Sequence, residues 1–140
     1  MAITQAMCNS FKTELLGGTH DLDTDVIKIA LYTSSATLDA STTAYTTSNE
    51  VTGSSGYTAG GNTLSGAAIT LSGSTAIVDF SDTTWSTATI TARGALIYNS
   101  SKSNKAIAVL NFGGDKTSTN DDFKVEFPPA VPGSAIIQVG

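Results

Sequence analysis

Few residues of this chain are of a type that could do chemistry, and most of them stand apart. The only histidine, His20, opens the run His20-Asp21-Leu22-Asp23-Thr24-Asp25, in which three carboxylates alternate. Alternating acids open a calcium loop, but such a loop needs Gly at its sixth position and a bidentate Glu at its twelfth. Counted from Asp21, those positions hold Val26 and Tyr32. The segment reads as a solvated acidic turn, and the residues alone leave open whether Asp21, Asp23 and Asp25 bind a metal. A Ser-His-Asp triad would have to use His20, yet no G-x-S-x-G occurs. Two carboxylates across a cleft hydrolyse glycosides, and Asp79, Asp82 and Glu126 are the acids in or near expected strands. Nothing in their spacing brings them together, so no catalytic residue is assigned and the chain is not expected to be an enzyme.

Three further features have a bland and a sharp reading. Residues 49–62 concentrate glycine at Gly53, Gly56, Gly60 and Gly61. A phosphate loop would need Lys-Ser/Thr after its last glycine, and a dinucleotide loop a strand before and a helix after. Turns and bulges at a sheet edge fit better, and no cofactor is expected. Cys8 has no neighbour that would lower its pKa and reads as a small buried hydrophobe. Arg93, the only arginine, reads as a satisfied surface charge in a strand.

The elements that must position these groups centre on residues 85–99, WSTATITARGALIYN. Alternating Thr and small apolar residues pass into the unbroken run Ala95-Leu96-Ile97-Tyr98, as in a strand that is half-covered and then covered on both faces. It is expected to be the central strand of a sheet. Met7, Phe11 and Leu15 recur every four residues and predict an amphipathic helix over 4–16, capped by Thr4 and stopped by Gly17-Gly18. A strand follows over 26–33, with Ile27, Ile29 and Leu31 on one face. Then comes an excursion over 34–47 anchored by Leu38 and Tyr45. Further strands are expected over 63–71, 76–80, 89–98, 106–112, 123–127 and 135–139, with polar loops over 99–104 and 113–122. Ser72-Gly73-Ser74 reads as a hairpin turn with Ala76, Val78 and Phe80 facing in behind it. Pro128-Pro129 should stop the strand before it. The sum is a single mainly β domain over 1–140: a β-sandwich, with the jelly roll as one variant, and one N-terminal amphipathic helix.

Only 14% of the residues are charged, against roughly 25% in an ordinary soluble domain, and Ser and Thr make up more than a quarter. The surface is therefore hydroxyl-rich. With a net charge of −5 and seven scattered basic residues there is no basic patch for a phosphate backbone, so nucleic acid is not an expected partner. No apolar run approaches the ~18 residues of a membrane span, and the start has neither the charged region nor the apolar core of a signal peptide. One cysteine excludes an intrachain disulfide, so folding in a reducing cytoplasm is allowed.

Several stretches taken in order resemble small structural proteins of tailed bacteriophages: TQAMCNSFKTELLGGTH, KIALYTSSATLDASTTAY, NEVTGSSGYTAGGNTL, and WSTATITARGALIYN followed by KAIAVLNFGGDKTSTNDDF. Together they span nearly the whole chain. The resemblance implies a virion protein made in the host cytoplasm. Its role would be a capsid cement or decoration protein on the outer head surface, with the major capsid protein as partner and a homotrimer as assembly. A tail or fibre component that touches the host surface is the alternative. No catalytic motif comes with it. The loops are the expected contact surfaces, and Gly53, Tyr57, Gly60, Gly61, Asp115 and Lys116 are the candidates, because glycine permits close backbone approach and loops tolerate shaping for a partner.

Overall fold

The computed structural model describes residues 2–53, 55–127 and 135–139. Among these, the chain forms a β-sandwich-like fold with one helix. The strands are β1 (Ala6–Met7), β2 (Ile27–Tyr32), β3 (Asn62–Thr63), β4 (Ala68–Ser72), β5 (Thr75–Asp79), β6 (Thr83–Asn99), β7 (Lys105–Val125) and β8 (Ile137–Val139), with helix α1 (Asn9–Leu16) between β1 and β2. One sheet has the order β1-β7-β6-β2-β3 and the other β4-β5-β8, with every pair antiparallel.

The expected central strand is central: β6 lies between β7 and β2, and Gly94 through Asn99 are all buried. Its apolar run is flanked on β2 by Ile29, Ala30, Leu31 and Tyr32, each at 0% exposure, and on β7 by buried Ala106 to Leu110. Both faces of β2 are therefore covered, where one covered face was expected.

The helix is shorter than expected. It starts at Asn9 rather than Thr4, with Cys8 at its N-cap. Residues before it pair instead: Ala6 and Met7 lie against Val109 and Ala108, and Thr4 N–H donates to the Leu38 carbonyl at 2.8 Å. Ladder bonds to an already folded sheet outweigh a four-residue periodicity too short to hold a helix alone. The stop falls at Gly17-Gly18 as expected, with Gly18 at φ 78°. Of the stripe, Phe11 is fully buried, Met7 and Leu15 are half-buried, and Leu16 is 91% exposed. Phe11 also meets the His20 ring at 5.0 Å. Replacing Phe11 by alanine should cost about 3–5 kcal/mol, read from urea unfolding, because it empties a site closed on every side.

The largest difference lies at 113–122, expected to be a polar loop. These residues continue β7, which pairs with β6 from Lys105 to Val125. Likewise 89–98 lies within the longer β6 and 123–125 ends β7, while Glu126 and Phe127 lie beyond the strand. Residues 63–71 are interrupted between β3 and β4, where Gly66 takes φ 66°. The turn at Gly73 forms, and Ala76 and Val78 lie half-buried on one face of β5 with Phe80 buried just beyond. Ile77, on the other face, is buried as well. Pro128-Pro129 lies outside the described residues.

Candidate functional site

Because β2 pairs with β6 only from Gly94 to Asn99, the first half of β6 and the second half of β7 leave the five-stranded sheet as a two-stranded ribbon. One face of this ribbon is apolar and buried, through Trp85, Ala88, Ile90, Ala92, Phe123 and Val125. Its other face is hydroxyl-rich and exposed; Thr91 and Thr117 meet across it at 3.2 Å between their Oγ1 atoms. Thr is suited to such a surface, since it is β-branched and still satisfies water. The register shifts around Ala88, and beside that shift Thr87 (φ 50°) and Asn120 (φ 49°) hold left-handed backbone. Asn tolerates that conformation readily; a β-branched Thr does so at a cost.

The ribbon and the glycine-rich loop form one end of the molecule. Ala88 joins them: it pairs with Asp121, its carbonyl accepts from the Ser118 hydroxyl at 2.7 Å, and a side chain at Gly56 would strike its Cβ at 2.7 Å. Next to it, Thr89 N–H donates to the Ser55 carbonyl at 2.9 Å, and the Tyr57 and Trp85 rings lie 5.9 Å apart.

The loop is set by Glu50, the only charged residue between Asp39 and Asp79 and 3% exposed. Three donors converge on its carboxylate: the Tyr45 hydroxyl at 2.6 Å, the Tyr57 hydroxyl at 2.5 Å and Gly60 N–H at 2.8 Å. Tyr57 Oη in turn accepts from Leu31 N–H at 2.9 Å, tying the loop to β2, and the Tyr98 hydroxyl donates to the Gly60 carbonyl at 2.6 Å. Tyr45 stacks on Tyr98 at 4.6 Å, and the Tyr32 hydroxyl donates to the Thr46 carbonyl at 2.6 Å. All four tyrosines of the chain thus gather around one acid.

Burial, and for Tyr45 and Tyr57 the hydrogen bonds to Glu50, raise all four phenols, Tyr98 to about 12 and the others further. Each neutral phenol is favoured by the fold relative to the free chain, where tyrosine ionises near 10. Their stabilising effect is therefore complete below about pH 10 and is lost as pH rises through the folded values. Tyrosinate absorbance is expected to appear as one cooperative step together with loss of circular dichroism, above the pH at which free tyrosine titrates; four phenols ionising near 10 in a folded protein would contradict this.

A second polar network surrounds His20. Ser101 N–H donates to Asn99 Oδ1 at 3.0 Å, which turns the Asn99 amide nitrogen toward His20 Nδ1 at 3.0 Å and Asp25 Oδ2 at 2.8 Å. His20 Nδ1 therefore accepts, and its Nε2–H donates to Glu14 Oε1 at 2.9 Å. The Asn99 amide and Asp21 N–H, with the Lys102 ammonium at 3.0 Å, hold the Asp25 carboxyl down to about 2. Asp21 Oδ1 accepts from the N–H groups of Asp23 and Thr24. The acidic run is a turn that pins β2 to the far end of β6.

The contact candidates are placed as follows. Gly53 is exposed at φ 63°, while Tyr57 and Gly60 are built into the Glu50 hub and a side chain at Gly61 would run into the Ile29 carbonyl. Tyr57 was expected to be a contact residue of a loop, but its hydroxyl points inward and carries two hydrogen bonds. Asp115 and Lys116 stand on β7, not in a loop. Asp115 receives the Arg93 guanidinium at 3.0 Å in a pair 40% and 47% exposed, worth at most about 1 kcal/mol. Lys116 borders a groove of about 390 Å³ floored by Phe112, Phe123 and Val125. Of the acids considered for hydrolysis, Asp82 and Glu126 both approach Lys124, at 3.8 and 3.6 Å, and Asp82 Oδ1 accepts from Phe127 N–H. Asp79 ends β5. Glu50 was missed; a lone acid in an otherwise uncharged stretch, with tyrosines five and seven residues away, was its available signal.

No protein-family model, curated protein or solved structure matches this chain.

Proposed function

We propose that the protein is a non-enzymatic virion component, a cement protein that sits on the outer surface of a phage head and braces neighbouring major capsid subunits. The observation that carries the reading is the joint between ribbon and glycine loop at Ala88, which makes a stiff, hydroxyl-rich end suited to contact. Glu50, its buried acid, is taken up by three structural hydrogen bonds. The strained Thr87 lies there too, and backbone strain collects where function demands a shape. A homotrimer on the three-fold positions of the shell belongs to the same reading.

Mass spectrometry of purified virions tests it by copy number: a stoichiometry close to that of the major capsid protein supports cement, and a handful of copies moves the protein to the tail. Thr91→Glu and Lys116→Glu, on exposed ribbon positions, are expected to melt like the parent and to bind stripped heads more weakly. The second reading, a tail or fibre component that binds the host surface, is favoured by the groove beside Lys116. An aromatic floor with Lys124, Asp122 and Glu126 at its edge suits a sugar ring. Glycan-array binding abolished by Phe112→Ala would promote it.

A further inference from the structure

Among the described residues, β4 is an edge strand with no protection. It pairs only with β5, and four of its five residues are exposed, including Ile69 at 54% and Leu71 at 72%. Edge strands of soluble proteins are ordinarily blunted by charge, proline, a bulge or a covering segment. β4 carries no charge or proline, its register with β5 is unbroken, and among the described residues nothing pairs with its outer edge. No charged residue occurs between Glu50 and Asp79.

The direction of its free hydrogen-bonding groups follows from the hairpin. Ser72 and Thr75 close a two-residue turn with Gly73 at φ 61°, so they form the hydrogen-bonded pair. The alternation of an antiparallel ladder then turns Ser72, Thr70 and Ala68 toward β5 and leaves the N–H and C=O of Ile69 and Leu71 pointing outward. These groups are self-complementary about Thr70. If two copies of β4 lie antiparallel with Thr70 on the two-fold axis, Ile69 of each faces Leu71 of the other, and the pairs exchange four backbone hydrogen bonds.

We infer that β4 is a homotypic contact through which two copies of this chain join their three-stranded sheets into one six-stranded sheet. The apolar face formed by Ile69, Leu71, Ala76, Val78, Ile137 and Val139 becomes continuous across the axis. The edge itself favours a second copy: its outward N–H and C=O groups match their own copy about Thr70, and no charged side chain of β4 opposes another across the axis. The contact is two-fold and isologous. It goes beyond the cement reading and does not depend on it, and on a shell it would link copies across two-fold positions while leaving three-fold grouping intact.

At the axis the two Thr70 residues form a non-hydrogen-bonded pair, whose Cα atoms lie about 4.5 Å apart, within reach of a disulfide. Thr70→Cys is therefore expected to give a covalent dimer under mild oxidation. Ser72→Cys, which faces Ala68 of the second copy, should cross-link far more slowly, and the parent, with Cys8 fully buried, should not cross-link. In sedimentation the parent should be a reversible dimer or an even-numbered assembly. Thr70→Lys should raise its dissociation constant roughly fivefold or more, with the circular dichroism of the fold unchanged. A parent that is monomeric at every concentration or an isolated trimer overturns the inference. So does a dimer indifferent to Thr70→Lys, or cross-linking no faster at residue 70 than at residue 72.

Discussion

Purified Glu50→Ala protein is expected to lose roughly 3–9 kcal/mol of stability, from three donors, Gly60 N–H buried and the two hydroxyls partly so, stranded at about 1–3 kcal/mol each. That range overlaps the entire stability of a small domain, about 5–15 kcal/mol, so part of the material should be unfolded without denaturant. The Tyr45 and Tyr57 hydroxyls and Gly60 N–H all end on this carboxylate, and the residue is 3% exposed, so water cannot replace it without opening the loop. Glu50→Gln separates the parts of the effect. It keeps the volume but sets an amide donor against one of the three donors, and should fall between the parent and Glu50→Ala. Urea unfolding reads both; a Glu50→Ala protein that unfolds like the parent would show that Glu50 does not hold the loop.

Gly61→Ala is expected to yield no correctly folded protein. Its Cβ would overlap the Ile29 carbonyl, an atom of the central sheet that cannot move aside, and φ at this position is +78°. Gly53→Ala is the matched control. It has a similar positive φ of 63° but open space around the added methyl, so only the conformational cost of about 1–2 kcal/mol remains. The expected outcome is a soluble, slightly destabilised Gly53→Ala and an insoluble or disordered Gly61→Ala, compared by expression and circular dichroism. Equal behaviour of the two would mean that β3 does not approach β2 as closely as described.

Both predictions concern residues whose roles were only partly legible in the sequence. The glycine cluster was visible, but composition cannot tell a glycine that frees a loop from one that lets two backbones touch. Tyr45 and Tyr57 stood out as anchors or contact rings. What joins them is Glu50, and a hub of this kind has no period along the chain. The contact of Asn99 with His20 and Asp25 spans more than seventy residues and left no local trace.

The parts decided by local pattern were legible. Residues 95–98 form an unbroken apolar run and lie at the centre of the sheet, and Ser72-Gly73-Ser74 makes a tight hairpin turn. Residues 113–122 misled because Gly, Asp, Asn and Ser are turn formers. In a ribbon with one exposed face, however, pairing with β6 satisfies the backbone while polar side chains remain in water. The helix start misled for the opposite reason: Met7 fitted a helical stripe but found a better partner in Ala108 across a ladder.

The claim that this is a cement protein is tested most directly by a cryo-EM map of the intact particle. Density for this fold is expected at every equivalent position on the outer head surface, with the ribbon and glycine-loop end seated on the major capsid protein. Density confined to the tail, or a head surface bare of it, would contradict the claim.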